Sequence, residues 1–96
     1  MIRVTASCYV KPECIEEFLL FTKELVEKTN KLDKGCIRYE LCKNESDPLH
    51  FVMFEQWEDQ DALDNHLNAR HFIDLIPRVD GSLSKPTQLI RYSKVY

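Results

Sequence analysis

Glycine is nearly missing from this chain, with two in 96 residues. Neither has a motif partner, so a Gly-rich phosphate loop is excluded. No apolar run reaches the roughly 18 residues that would span a bilayer. The opening MIRVTASCYV is too short and strand-like for a signal peptide, because Arg3 and Thr5 interrupt what would be its apolar core. No C-x-x-C pair exists, which argues against a zinc ribbon or a thioredoxin-like site. Glycine and proline are also too few for a loop-rich disulfide scaffold. The cysteines at 8, 14, 36 and 42 are therefore expected to be reduced and mostly structural, in a cytoplasmic protein. Cys14, in the first turn of an expected helix, is the one whose pKa should be lowered. Excess positive charge is absent too: the net charge is −3 and the pI about 5.6, which argues against a nucleic-acid partner. There is no low-complexity tract, no internal repeat and no room for a second domain. A chain this short buries roughly 60–65% of its unfolded surface and is marginal alone, for which oligomerisation is the common remedy.

What is present falls into clear periods. Ile2, Val4, Ala6, Cys8 and Val10 alternate with polar neighbours, giving a half-buried strand at about 2–10. Pro12 and the acids Glu13, Glu16 and Glu17 suit a helix start. Ile15, Phe18, Leu19, Thr22, Leu25 and Val26 then keep helical spacing to about residue 31, and Gly35 closes the connection. A second strand at about 36–43 and a third at about 49–57 flank the turn cluster Asn44–Pro48. Asp59 is a plausible N-cap for a helix at about 59–68. A second helical turn follows at about 70–79, bent or stopped near Pro77. A loop over 80–86 leads to a last strand at about 87–95.

The order β-α-β-β-α-β predicts an α+β fold, the ferredoxin-like split β-α-β arrangement with an antiparallel sheet and its helices on one face. Yet Phe51–Phe54 place apolar side chains on both faces of the third strand. Helices can cover only one, so either Val52 and Phe54 or Phe51 and Met53 stay uncovered. A homodimer packed sheet against sheet is the expectation.

Several short motifs stand in register. Lys34-Gly35-Cys36-Ile37-Arg38-Tyr39-Glu40-Leu41 is similar to the "Gly-Cys-x-x-Tyr" second strand of the antibiotic biosynthesis monooxygenase family. Phe54-Glu55-Gln56-Trp57 is similar to its "E-x-W" third strand. Ala62-Leu63-x-x-His66, with Arg70-His71-Phe72, resembles its "a-L-x-x-H…H-F" helix, and Val10-Lys11-Pro12 and Phe18 also fit. The resemblance implies a dimeric α+β barrel and a group that includes quinol monooxygenases working without metal or organic cofactor. There an electron-rich substrate itself reacts with O2. The same fold group holds an isomerase of a phosphorylated signal, haem-degrading enzymes and members of unassigned function, so reaction type does not follow from membership.

A cofactor-free oxygenase needs a base, a dry pocket and polar groups for the developing anion. His66 is the candidate base; the alternative is a core histidine bonded to backbone or to Glu55. Glu55, between Met53 and Trp57 on one strand face, is a second candidate catalytic group, with Arg91 or Arg38 as partner. Tyr39 is the third, donating to a quinol oxygen, unless its hydroxyl reaches solvent. Trp57 either stacks on a planar substrate or fills the core. His71 either lines the same cavity or caps a helix end, and Arg91 completes the substrate-binding set. A metal site is not expected, because His66 and His71 at i, i+5 do not share a helical face and no carboxylate completes a cluster. The expected substrate is a small quinol-like or polyphenolic molecule, oxidised by O2. Two rivals remain: an isomerase of a small phosphorylated metabolite using Lys85, Arg78 and Arg91, or a non-catalytic dimeric binding module.

Overall fold

The computed structural model describes residues 1–96. The elements are β1 (Ile2–Tyr9), a 3-10 turn (Pro12–Cys14), α1 (Ile15–Leu32), β2 (Cys36–Lys43), β3 (His50–Trp57), α2 (Gln60–Leu67), α3 (Arg70–Gly81) and β4 (Gln88–Tyr92). All strand pairs are antiparallel, in the order β2-β3-β1-β4. This is the split β-α-β topology.

Strand alternation assigns the two faces. Phe51, Met53 and Trp57 are buried against the helices, each at most 6% exposed. Val52 and Phe54 therefore belong to the uncovered face, with Thr5 and Ser7 beside them on β1. The Arg38 guanidinium lies 5.3 Å from the Phe54 ring centre, and Arg38 also pairs with Glu40. That face is thus amphipathic rather than uniformly apolar. β4 is short and exposed along its length, and Leu89, Ile90, Tyr92, Val95 and Tyr96 each leave much of a large side chain open to solvent.

Local chemistry sets the joints. Gly35 has φ of 83°, and Cys36 N–H bonds Asp33 O at 3.2 Å, giving a type II turn with glycine at its third position. A Cβ on Gly35 would also stand 2.6 Å from Ala62 Cβ, so the turn is pressed against α2. Asp59 caps α2 as its sequence suggests, its carboxylate accepting from Ala62 N–H at 2.8 Å.

Pro77 does not stop α3, which runs through it to Gly81. The missing proline N–H leaves only the carbonyl of Ile73 without a partner. Ile73 is half exposed, while Leu75 and Val79 hold the helix to the core.

Candidate active site

The hairpin of β2 and β3 brings Tyr39 opposite Glu55 on the inner face of the sheet. α2 carries His66 over them, and the Tyr39 and His66 rings lie 5.0 Å apart. Tyr39, Glu55 and His66 all line one cavity of about 820 Å³ between sheet and helices, with Arg91 at its β4 side. Most of its wall is apolar, including Val4, Met53, Leu63, Phe72 and Ile76. Sixteen of its 24 lining residues are hydrophobic, a composition suited to a small organic ligand.

Three groups in this wall, Glu55, His66 and Tyr39, are shifted in the direction that favours their neutral forms. Burial pushes the Glu55 carboxyl up to about 7, although Trp57 Nε1–H donates to it at 3.1 Å and opposes the rise. Burial also holds His66 below the ordinary histidine value, outweighing the hydrogen bond and charge of Asp33. Tyr39 is raised well above the usual phenol range, first by burial and then by Glu55, so it stays a donor.

Two expected partners of Glu55 are elsewhere. Arg38 is on the outer face with Glu40, and Arg91 donates to Gln60 Oε1 at 2.8 Å. Trp57 is fully buried and is not among the lining residues; its ring packs 4.5 Å from His66. His71 does not line the cavity either.

The residue missed by sequence reasoning is Asp33. Its carboxylate accepts from His66 Nδ1 at 2.6 Å and from His71 Nε2 at 3.1 Å. The expectation that no carboxylate joins the two histidines is therefore corrected. The i, i+5 spacing misled because the helix is interrupted between α2 and α3, so the rings come from different helices. Asp33, His66 and His71 place their ligating atoms within 4.8 Å of one another. The 2.6 Å separation is a hydrogen-bond length, shorter than the roughly 2.9 Å that ligands at right angles keep around an ion bound at about 2.05 Å. A signal for Asp33 does exist in the sequence. A carboxylate just past a helix C-terminus opposes the dipole and needs a compensating donor.

Cys14 also differs from expectation. Its thiol is raised rather than lowered, because it hydrogen-bonds to Glu17 and Glu13 adds further negative charge. Cys36, mostly through burial, is pushed up to about 11. Burial raises the Cys8 thiol as well; all four cysteines are free, and none of the three raised thiols is primed as a nucleophile.

Comparison with known proteins fits this geometry. The family model described as antibiotic biosynthesis monooxygenase matches residues 1–78. The Bacillus subtilis protein named "Putative monooxygenase YcnE" is 33% identical over 91 residues, covering 95% of each chain. The Synechocystis protein sll1783, uncharacterised, is 30% identical over 91 residues; the match covers 95% of this chain but only 61% of that longer one. A conserved protein from Methanosarcina mazei Go1 superposes with a TM-score of 0.93 at 38% identity, covering 97% of this chain and 91% of that one. With the family model spanning most of its length and the fold matched throughout, the chain belongs to the antibiotic biosynthesis monooxygenase family.

Proposed function

We propose that this chain is a cytoplasmic monooxygenase that uses neither metal nor organic cofactor and oxidises a small quinol-like or polyphenolic substrate with O2. The observation that carries this reading is the juxtaposition of Glu55 and His66 in one apolar cavity, where burial raises the Glu55 carboxyl to about 7 and favours the neutral His66 ring, whose lone pair is then open to a substrate proton. His66 Nε2 has no partner within the protein, and the ring lines the cavity. It takes the substrate hydroxyl proton. Glu55 is the second acceptor, Tyr39 donates to the developing anion, and Arg91 sits at the opening. The deprotonated hydroquinone gives up electrons to O2. One oxygen enters the ring and the other leaves as water, so hydroquinone plus O2 yields hydroxyquinone plus water.

The isomerase alternative needs free cations for a phosphate. Of the three candidates, Arg91 is engaged by Gln60, Lys85 lies over the Tyr9 ring at 4.0 Å, and Arg78 lies over Phe21. None of these partners is an anion, and Arg91 and Lys85 both line the cavity, so this alternative keeps two cations at the site. Oxygen uptake with a panel of hydroquinones is the test. The wild-type chain is expected to consume O2, and His66→Gln to slow turnover about 100-fold, within the usual range for a positioned base. Absence of uptake by the wild type across the panel would remove the reading.

The working unit is proposed to be a homodimer. Support comes from Val52 and Phe54 on the uncovered face and from the exposed apolar side chains of β4 and the residues after it. Light scattering after size exclusion should give twice the 11.4 kDa chain mass; a monomer at micromolar concentration refutes the pairing.

A further inference from the structure

We infer that Asp33 is the positioning residue of this site: its carboxylate fixes His66 as the Nδ1–H tautomer and so presents the lone pair of Nε2 to the cavity. The catalytic half of this inference rests on the function proposed above; the tautomer half does not.

An ionised carboxylate only accepts hydrogen bonds. The 2.6 Å contact to His66 and the 3.1 Å contact to His71 therefore place protons on His66 Nδ1 and His71 Nε2. A neutral imidazole has one N–H, so His66 Nε2 is left unprotonated. No other protein group hydrogen-bonds to the His66 ring. Its remaining neighbours are the faces and edges of Trp57, Phe72 and Tyr39, with ring centres at 4.5, 4.7 and 5.0 Å. They lock the ring plane but do not choose between its nitrogens. That choice falls to Asp33 alone.

His71 has a distinct part. It does not reach the cavity, yet it gives the carboxylate a second donor. Asp33 is thereby pinned between two helices, with its side chain 7% exposed. When Nε2 takes a proton, a positive charge forms on a ring that is 1% exposed. Such a charge is costly unless an anion lies beside it, and Asp33 is that anion. The arrangement has the logic of a buried aspartate holding a histidine in its working tautomer.

The experiment is long-range proton–nitrogen correlation on the nitrogen-15-labelled full chain at pH 8, well above the lowered His66 value. The wild type is expected to show His66 protonated on Nδ1. In Asp33→Asn the carboxamide can donate as well as accept, so a substantial Nε2–H population should appear. Wild-type His66 carrying its proton on Nε2 overturns the inference, as does Asp33→Asn retaining pure Nδ1–H. Should Asp33→Asn fail to fold, Asp33→Glu keeps the charge and should keep the Nδ1–H form; a switch there also overturns it. Kinetically, Asp33→Asn is expected to lose about 100-fold or more in kcat with KM little changed. A purely structural role would leave the tautomer of the folded fraction unmoved. If the wild type oxidises no quinol, the functional reading fails while the tautomer result still decides the role of Asp33.

Discussion

Trp57→Ala is expected to leave the protein barely folded. Trp57 has no exposed surface and ends β3, where it pairs with Ile2 on one side and Cys36 on the other. Its ring packs on Tyr39 and His66, and its Nε1–H holds Glu55. Removing it leaves a large void in the main core and strands a buried carboxyl. Such truncations cost about 3–5 kcal/mol. Total stability for a domain of this size is roughly 5–15 kcal/mol. The melting temperature should therefore fall by roughly 15–30 °C, measurable by circular dichroism. Trp57→Phe keeps most of the volume and should cost about 1–2 kcal/mol. Because the indole does not line the cavity, Trp57→Phe should leave KM for an active quinol unchanged. A drop in melting temperature of only a few degrees in the alanine variant would show that this packing is not structural.

Glu55→Gln is expected to stabilise the protein above neutral pH. Burial raises Glu55 from the ordinary 4.5 to about 7. Between those values the native state binds more protons than the unfolded chain. Stability from this group is therefore full below pH 4.5 and lost as pH rises through 7. The shift corresponds to about 3.4 kcal/mol at 1.36 kcal/mol per unit, and water in the cavity reduces it to roughly 2–3 kcal/mol. Glutamine does not ionise, and its amide oxygen still accepts from Trp57. Urea unfolding of both proteins from pH 5 to 8.5 isolates the effect. His66, whose lowered value gives the opposite trend on acidification, cancels in the difference. The gap should open between about pH 5 and 7 and persist above it. Parallel curves would mean that Glu55 titrates normally. A carboxylate retained at such a cost, where glutamine would be more stable, is what a catalytic site predicts.

The fold was legible because periodicity and punctuation agreed. Alternation in β1, helical spacing in α1, the Asp59 cap and Gly35 each gave one local signal, and together they dictated the strand order. The uncovered sheet face was legible too, except for which pair of residues it carried. The site was legible only in part. His66, Tyr39, Glu55 and Arg91 line the cavity, since each stands at an alternating or helical position that periodicity resolves. Asp33 lies between elements, where no period applies, and its partners are 33 and 38 residues away, so the one sequence signal, a carboxylate opposing the helix dipole, does not say which donors answer it. His71 was misjudged for the same reason: its role depends on how the interruption at residues 68–69 turns α3 away from α2. The end of β4 was overextended, because edge strands stop where their pairing stops and not where apolar residues do.

Asp33, Lys34 and Gly35 form the whole connection between α1 and β2. Connections of this kind ordinarily accept added residues freely. Here the first residue grips two histidines and the third fits against Ala62, so neither end has slack. Lengthening that link by even one residue would slide the carboxylate off its imidazoles while leaving every helix and strand formed, producing a folded protein with a mis-set base.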